Sequence, residues 1–174
     1  MQFFKKYSFF IVPSVPVVLI FTADFFGSEI TWGAEDYFVA WLLFLGAAGI
    51  YKQLAVSGSD LYHRLGVGLS AFTVLALVWV NLAVGMIGSE DDPANRLYYF
   101  LALGALFSIF AAGRRPAWLA RVMFVAALCQ LLVPWIAFLL WPAPAHQAVV
   151  RILLFNLLFA VSWLLAAFLF KRSV

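Results

Sequence analysis

The acidic run Glu90, Asp91 and Asp92, followed by Pro93, is the densest group of side chains that could do chemistry. Neighbouring carboxylates are hard oxygen ligands, so the run could bind a divalent cation or a basic partner. The alternative is structural, because Asp before Pro is a typical helix start and acids stabilise the positive end of the helix dipole. The pattern favours the structural interpretation and leaves the binding site as a hypothesis.

Asp24 is the one acid inside a long apolar stretch. A carboxylate within a membrane is costly to bury, which makes Asp24 a candidate proton or cation site. It also lies within one turn of the end of its stretch, where water can reach it. An ordinary interfacial acid is therefore an equal alternative.

The third apolar stretch carries small and polar residues that fall on one face of a helix: Gly66, Ser70, Thr73, Asn81 and Gly88. Such a face could line a solute path together with Asp24, Gln130 and Asn156. Small residues and a buried Asn also serve as contacts between membrane helices, and this packing interpretation is the favoured one.

These side chains must be positioned by membrane helices, because 66% of the 174 residues are hydrophobic and only 11% are charged. Soluble domains are about 45–50% apolar and about 25% charged. Windows of about 19 residues predict six helical spans in a single membrane domain, residues 1–174. The predicted spans are 9–26, 37–56, 65–87, 93–112, 116–141 and 145–170.

The charged residues predict an orientation with both termini in the cytoplasm. This orientation leaves only Arg96 and Arg151 of the 11 basic residues outside. Nearly all acids then face the opposite compartment, and Tyr and Trp residues fall at both interfaces. The net charge of +3 follows from this topology, so no nucleic-acid partner is predicted.

Catalysis is the least favoured class of function. Cys129 is the single cysteine, which excludes an intramolecular disulfide. The predicted topology places His63 and His146 on opposite faces, which excludes an intramolecular zinc site using both histidines and a bis-His haem. No nucleophile elbow is present. We predict no enzyme activity, cofactor or metal.

A weak repeat suggests that the bundle consists of related helical hairpins. Gly27-Ser28-Glu29 recurs as Gly88-Ser89-Glu90, and Tyr37-Phe38 recurs as Tyr98-Tyr99, both at an offset of 61 residues. The alternative is a chance tripeptide beside common interfacial aromatics.

Residues 80–95 read Val-Asn-Leu-Ala-Val-Gly-Met-Ile-Gly-Ser-Glu-Asp-Asp-Pro-Ala-Asn. Here the chain resembles a family of small bacterial inner-membrane proteins without an assigned function, and a looser likeness extends from about Glu29 to Arg172. The family more often has Asn where this chain has Asp92, and both residues cap helices well. The resemblance implies a bacterial inner-membrane location and no particular activity.

We therefore predict an all-α membrane protein, a compact bundle of about six transmembrane helices in the bacterial inner membrane. The favoured function is a non-catalytic interaction or accessory role with a protein partner or a second copy of the chain. The alternative is a small-solute or ion transporter or channel with a polar path near Asn81 and Asp24.

Overall fold

The computed structural model describes residues 2–27, 32–55, 60–141 and 149–173, with side chains from residue 9 onward. The chain divides into two compact units, Met1–Gln53 and Leu54–Val174, called here the N-terminal and C-terminal units. Every regular element in the described residues is helical, which confirms the predicted all-α class.

The N-terminal unit contains α1 (Gln2–Phe25) and most of α2 (Ala34–Ala55). Side chains connect the two helices along their length. The Trp41 indole donates to the Ser14 hydroxyl at 3.0 Å, and the Lys52 ammonium lies 4.7 Å from the centre of the Phe9 ring. The Tyr37 hydroxyl donates to the Asp24 carboxylate at the other end of the pair.

The C-terminal unit is a helical bundle of α3 (Leu61–Ala83), α4 (Arg96–Ala112), α5 (Pro116–Leu140) and α6 (Val149–Arg172). A single 3₁₀ turn, Pro93–Asn95, leads directly into α4. The most extensive packing joins α5 to α6, followed by α3 to α6 and α4 to α5.

The α5 and α6 helices pack closely because each buries a stripe rich in alanine. On α6 the buried residues recur every three or four positions: Ile152, Asn156, Phe159, Ala160, Trp163, Ala166, Ala167 and Phe170. Alanine lets helix backbones approach, and in lipid the association depends on such packing rather than on the hydrophobic effect. The remaining faces are mainly apolar and exposed, as for Leu139 of α5 and Val150 of α6.

Among the described residues, five helical segments are long and apolar enough to cross a membrane, and the apolar part of α1, Phe9–Phe25, is shorter. The structure thus supports a membrane protein. The predicted third span is wrong at its end, since α3 stops at Ala83 rather than at residue 87. Gly88 therefore does not share a helical face with Asn81. The sixth helix is described from Val149, and the predicted start at residue 145 lies outside the described residues.

Two predicted spans, 93–112 and 116–141, begin at a proline, and helical structure begins at both prolines, as a 3₁₀ turn at Pro93 and as α5 at Pro116. The Asp92 carboxylate accepts from the Ala94 amide at 2.9 Å, with Pro93 in the first position of the 3₁₀ turn. Arg115 is the residue before α5, and Pro116 begins that helix.

Candidate functional site

The segment between α3 and the 3₁₀ turn, residues 84–92, is called here the α3–α4 loop. It is folded tightly, because Gly85 and Gly88 both have positive φ values, +72° and +63°. A Cβ atom at Gly85 would overlap the Ser89 carbonyl and the Asn95 side chain. The α3 helix ends at Ala83 because the turn that follows requires positive φ values, which an α-helix does not have.

Asn95 is the last residue of the 3₁₀ turn, and its almost fully buried side chain hydrogen bonds to the α3–α4 loop. Its Oδ1 atom accepts from the Met86 and Ile87 amides at 3.1 and 2.9 Å. Its Nδ2 atom donates to the Ile87 and Ser89 carbonyls at 3.0 and 2.6 Å. One side chain thus satisfies four backbone groups that a helix or sheet would otherwise pair.

Asn81 fastens the same loop from the last turns of α3. Its Nδ2 atom donates to the Asn95 carbonyl at 2.9 Å, and its Oδ1 atom accepts from the Met86 amide at 3.3 Å. The side chain has no exposed surface. Asn81 and Asn95, the loop-anchoring asparagines, therefore join α3, the loop and the start of α4.

Residues 88–91, called here the acidic tip, are a continuous exposed run within the α3–α4 loop. Glu90 and Asp91 are exposed, whereas Asp92 is half-buried in its capping position. The Arg151 guanidinium of α6 donates to the Gly88 carbonyl at 3.5 Å. The Glu90 and Asp91 carboxylates are thus exposed on a backbone that hydrogen bonds from the loop-anchoring asparagines hold in place.

A second polar cluster lies inside the bundle, where four buried side chains form one hydrogen-bonded chain. The Trp163 indole donates to Gln130 at 3.4 Å, and Gln130 donates to Asn156 at 2.9 Å. Asn156 donates to the Tyr98 hydroxyl at 2.9 Å. This buried network links α4, α5 and α6.

The Trp163 indole at one end of the network determines which group donates and which accepts in the hydrogen bonds of Gln130. An indole N–H can only donate, so Gln130 must present its oxygen to Trp163 and its NH₂ group to Asn156. Asn156 also donates to the Ile152 carbonyl at 2.8 Å, which fixes its own amide orientation. No buried side-chain nitrogen or oxygen among the described residues lacks a hydrogen-bond partner.

The first turn of α4 connects the two clusters. Asn95 and Tyr98 are three residues apart and both buried, so they share the inner face of the helix. The acidic tip is therefore supported by the loop-anchoring asparagines and, one turn further in, by the buried network.

Asp24 belongs to the N-terminal unit, where it accepts from Tyr37. The Tyr37 ring also packs on Phe21 and Trp32, with ring centres 5.5 and 5.4 Å away. Asp24 is half-buried, so the carboxylate lies in an aromatic and polar environment rather than in isolation.

The structure brings the sequence-predicted positions together in two groups within the C-terminal unit. Asn81 joins the loop that carries Glu90, Asp91 and Asp92, and Gln130 joins Asn156. Sequence reasoning missed Asn95, Tyr98 and Trp163. Trp163 carried a signal, because Trp usually lies at membrane interfaces and a Trp in mid-span must find an acceptor for its N–H group.

Within the described part of the chain, no group of three or more His, Cys, Asp or Glu side chains could hold a metal ion. Comparisons with protein-family models, curated proteins and solved structures give no match for this chain.

Proposed function

We propose that the protein is a non-catalytic interaction or accessory protein of the bacterial inner membrane, and that a basic partner binds its acidic tip. The observation that carries this proposal is the anchoring of the tip. Six hydrogen bonds from the loop-anchoring asparagines hold the backbone beneath Glu90 and Asp91. A loop whose backbone is already fixed loses little conformational entropy when a partner binds, and this favours recognition.

The buried network supports the same proposal over the transport alternative. A solute path needs polar groups that can exchange partners with the solute, whereas Gln130 and Asn156 hydrogen bond to Trp163, Tyr98 and the Ile152 carbonyl. Their role in this arrangement is to join helices, as polar residues commonly do in membranes.

The test is affinity purification in mild detergent from the bacterial membrane. We expect a partner with a basic contact surface to co-purify, and to dissociate as ionic strength rises because exposed charge pairs are screened within about 8–10 Å at physiological salt. Glu90→Gln and Asp91→Asn should each reduce its retention. Glu35→Gln is the matched control, since it removes an exposed acid from the N-terminal unit.

Reconstitution into proteoliposomes tests the alternative. The interaction proposal predicts no solute or proton flux above that of empty vesicles. Flux that falls in Asp24→Asn, without any partner in the purification, would instead support a transporter or channel and overturn our proposal.

A further inference from the structure

A groove of about 640 Å³ runs along the surface between α4 and α5. Its walls are mainly apolar and include Leu97, Phe100 and Leu101 of α4 and Val122, Val125 and Leu132 of α5. The groove lies wholly within the C-terminal unit and is separate from the acidic tip and the buried network.

Small residues create the groove. Gly104, Ala105 and Ser108 line it on α4, and Ala126 and Cys129 line it on α5. A Cβ atom added at Gly104 would have no other atom within 4 Å, so the space above this glycine is open.

The groove is long. From Trp118 to Ile136, α5 rises about 27 Å at 1.5 Å per residue, which is most of the roughly 30 Å hydrocarbon core of a bilayer. An extended acyl chain of a lipid runs in the same direction through this core, so one chain can lie along the apolar lining over its whole length.

One end of the groove carries a positive charge. Arg121 and Trp118 both line it near the start of α5, and the guanidinium carbon lies 5.1 Å from the centre of the indole ring. Trp favours the interface between headgroups and hydrocarbon, and Arg extends its charged end toward that level. The planar guanidinium can donate two parallel hydrogen bonds to the oxygens of a phosphate group at that level.

We propose that the α4–α5 groove binds an anionic phospholipid, with one acyl chain along Gly104 and the phosphate group at Arg121. The proposal does not depend on a partner at the acidic tip. The apolar length selects a lipid over a free phosphate, and the Arg121 charge selects an anionic headgroup over a zwitterionic one.

The experiment measures lipid binding to the delipidated full chain by native mass spectrometry, with phosphatidylglycerol, phosphatidylcholine and inorganic phosphate as probes. We expect one phosphatidylglycerol to be retained per chain and phosphatidylcholine to bind roughly tenfold more weakly, because its choline ammonium repels the Arg121 guanidinium and offsets the attraction for the phosphate. Phosphate alone should not bind, because it lacks the acyl chain that fills the groove. Arg121→Gln should remove the preference for the anionic lipid. Gly104→Leu should abolish retention by filling the groove.

Two matched controls separate these effects from general ones. Arg172→Gln removes an arginine that also lies 5.1 Å from an aromatic ring, that of Phe168, and Gly46→Leu changes an α2 glycine whose added Cβ would also have no atom within 4 Å. Both variants should retain phosphatidylglycerol like the parent protein.

A measurement on the unaltered chain keeps the proposal testable if Gly104→Leu fails to fold. Cys129 lines the groove and is the single cysteine, so phosphatidylglycerol should slow its alkylation by a membrane-permeant maleimide several-fold, and phosphatidylcholine should slow it less.

Equal binding of both lipids to the parent protein, or unchanged binding in Arg121→Gln, would overturn the proposal. So would binding of phosphate alone, or a detergent-stable dimer that Gly104→Leu dissociates, because the latter would make a second copy the occupant.

Discussion

At the scale of single residues, Asn95 uses both ends of its side-chain amide to hydrogen bond the backbone of the α3–α4 loop. A buried amide that pairs with four backbone groups replaces a piece of secondary structure, and losing it leaves donors and acceptors unpaired in a place that water cannot readily enter. The conformation of the α3–α4 loop therefore depends strongly on the Asn95 side chain, which lies outside the loop itself.

We expect Asn95→Ala to lower the free energy of unfolding in detergent by about 2–3 kcal/mol, because unpaired buried groups cost about 1–3 kcal/mol each and the loop can relax in part. Asn95→Asp should also destabilise, since a carboxylate keeps the bonds from Met86 and Ile87 but faces the Ile87 and Ser89 carbonyls.

Ser89→Ala is the control, because an exposed side chain at the tip should change stability by no more than about 0.5 kcal/mol. Chemical unfolding of the three variants in the same detergent makes the comparison. Parent-like stability of Asn95→Ala would mean that the loop is not held as described.

At the scale of elements, the apolar and polar patterns predicted different parts of the structure with unequal success. Length and hydrophobicity identified the six α-helices that the structure describes, because a span needs about 20 apolar residues whatever its neighbours are. The end of α3 was missed, since Val84 to Ile87 is as apolar as a helix, and only the partners of Asn81 and Asn95 reveal that it turns.

The buried network could be predicted only in part for the same reason. Gln130 and Asn156 stood out as amides within spans, but their pairing depends on the rotation of α5 against α6, which residue types do not specify. Tyr98 resembled an ordinary interfacial aromatic until the fold placed it inside. The predicted hairpin repeat is still a prediction, because Ser28 and Glu29 lie outside the described residues.

The contribution of the α5–α6 contact to stability can be tested at Gln130. We expect Gln130→Leu to destabilise the protein by about 1–3 kcal/mol, because the Trp163 N–H and the Asn156 oxygen lose their partner in the core. Trp163→Phe removes one of these groups, so the double variant should be less destabilised than the sum of the single ones.

Unfolding midpoints of the four proteins in detergent give the coupling energy. Strict additivity would indicate that the Gln130 to Trp163 bond, the longest of the network at 3.4 Å, contributes nothing to stability.

At the scale of the whole molecule, the predicted orientation concerns the two ends of α4. The α3–α4 loop precedes this helix and Arg115 follows it, so the two must lie on opposite sides of the membrane if α4 crosses it. The charge pattern predicts that the Arg115 side is cytoplasmic.

In a Cys129→Ser background, we expect Ser89→Cys to react with an impermeant maleimide added to intact spheroplasts, and Arg115→Cys to react only after the membrane is opened. Both positions are exposed, so access to the reagent depends on the side of the membrane. Labelling of both from outside, or the reverse order, would contradict the predicted topology.

The packing of α3 against α6 also governs how the chain is assembled during synthesis. Gly66 of α3 lies against the ring of Phe170 near the end of α6, so this contact waits for roughly 100 further residues, or about 5–20 s at 5–20 residues per second. During that interval α3 lacks its principal neighbour, and the Phe170 ring does not yet pack on His63. A translation product interrupted before α6 would therefore present an incomplete helix pair to the quality-control proteases of the membrane.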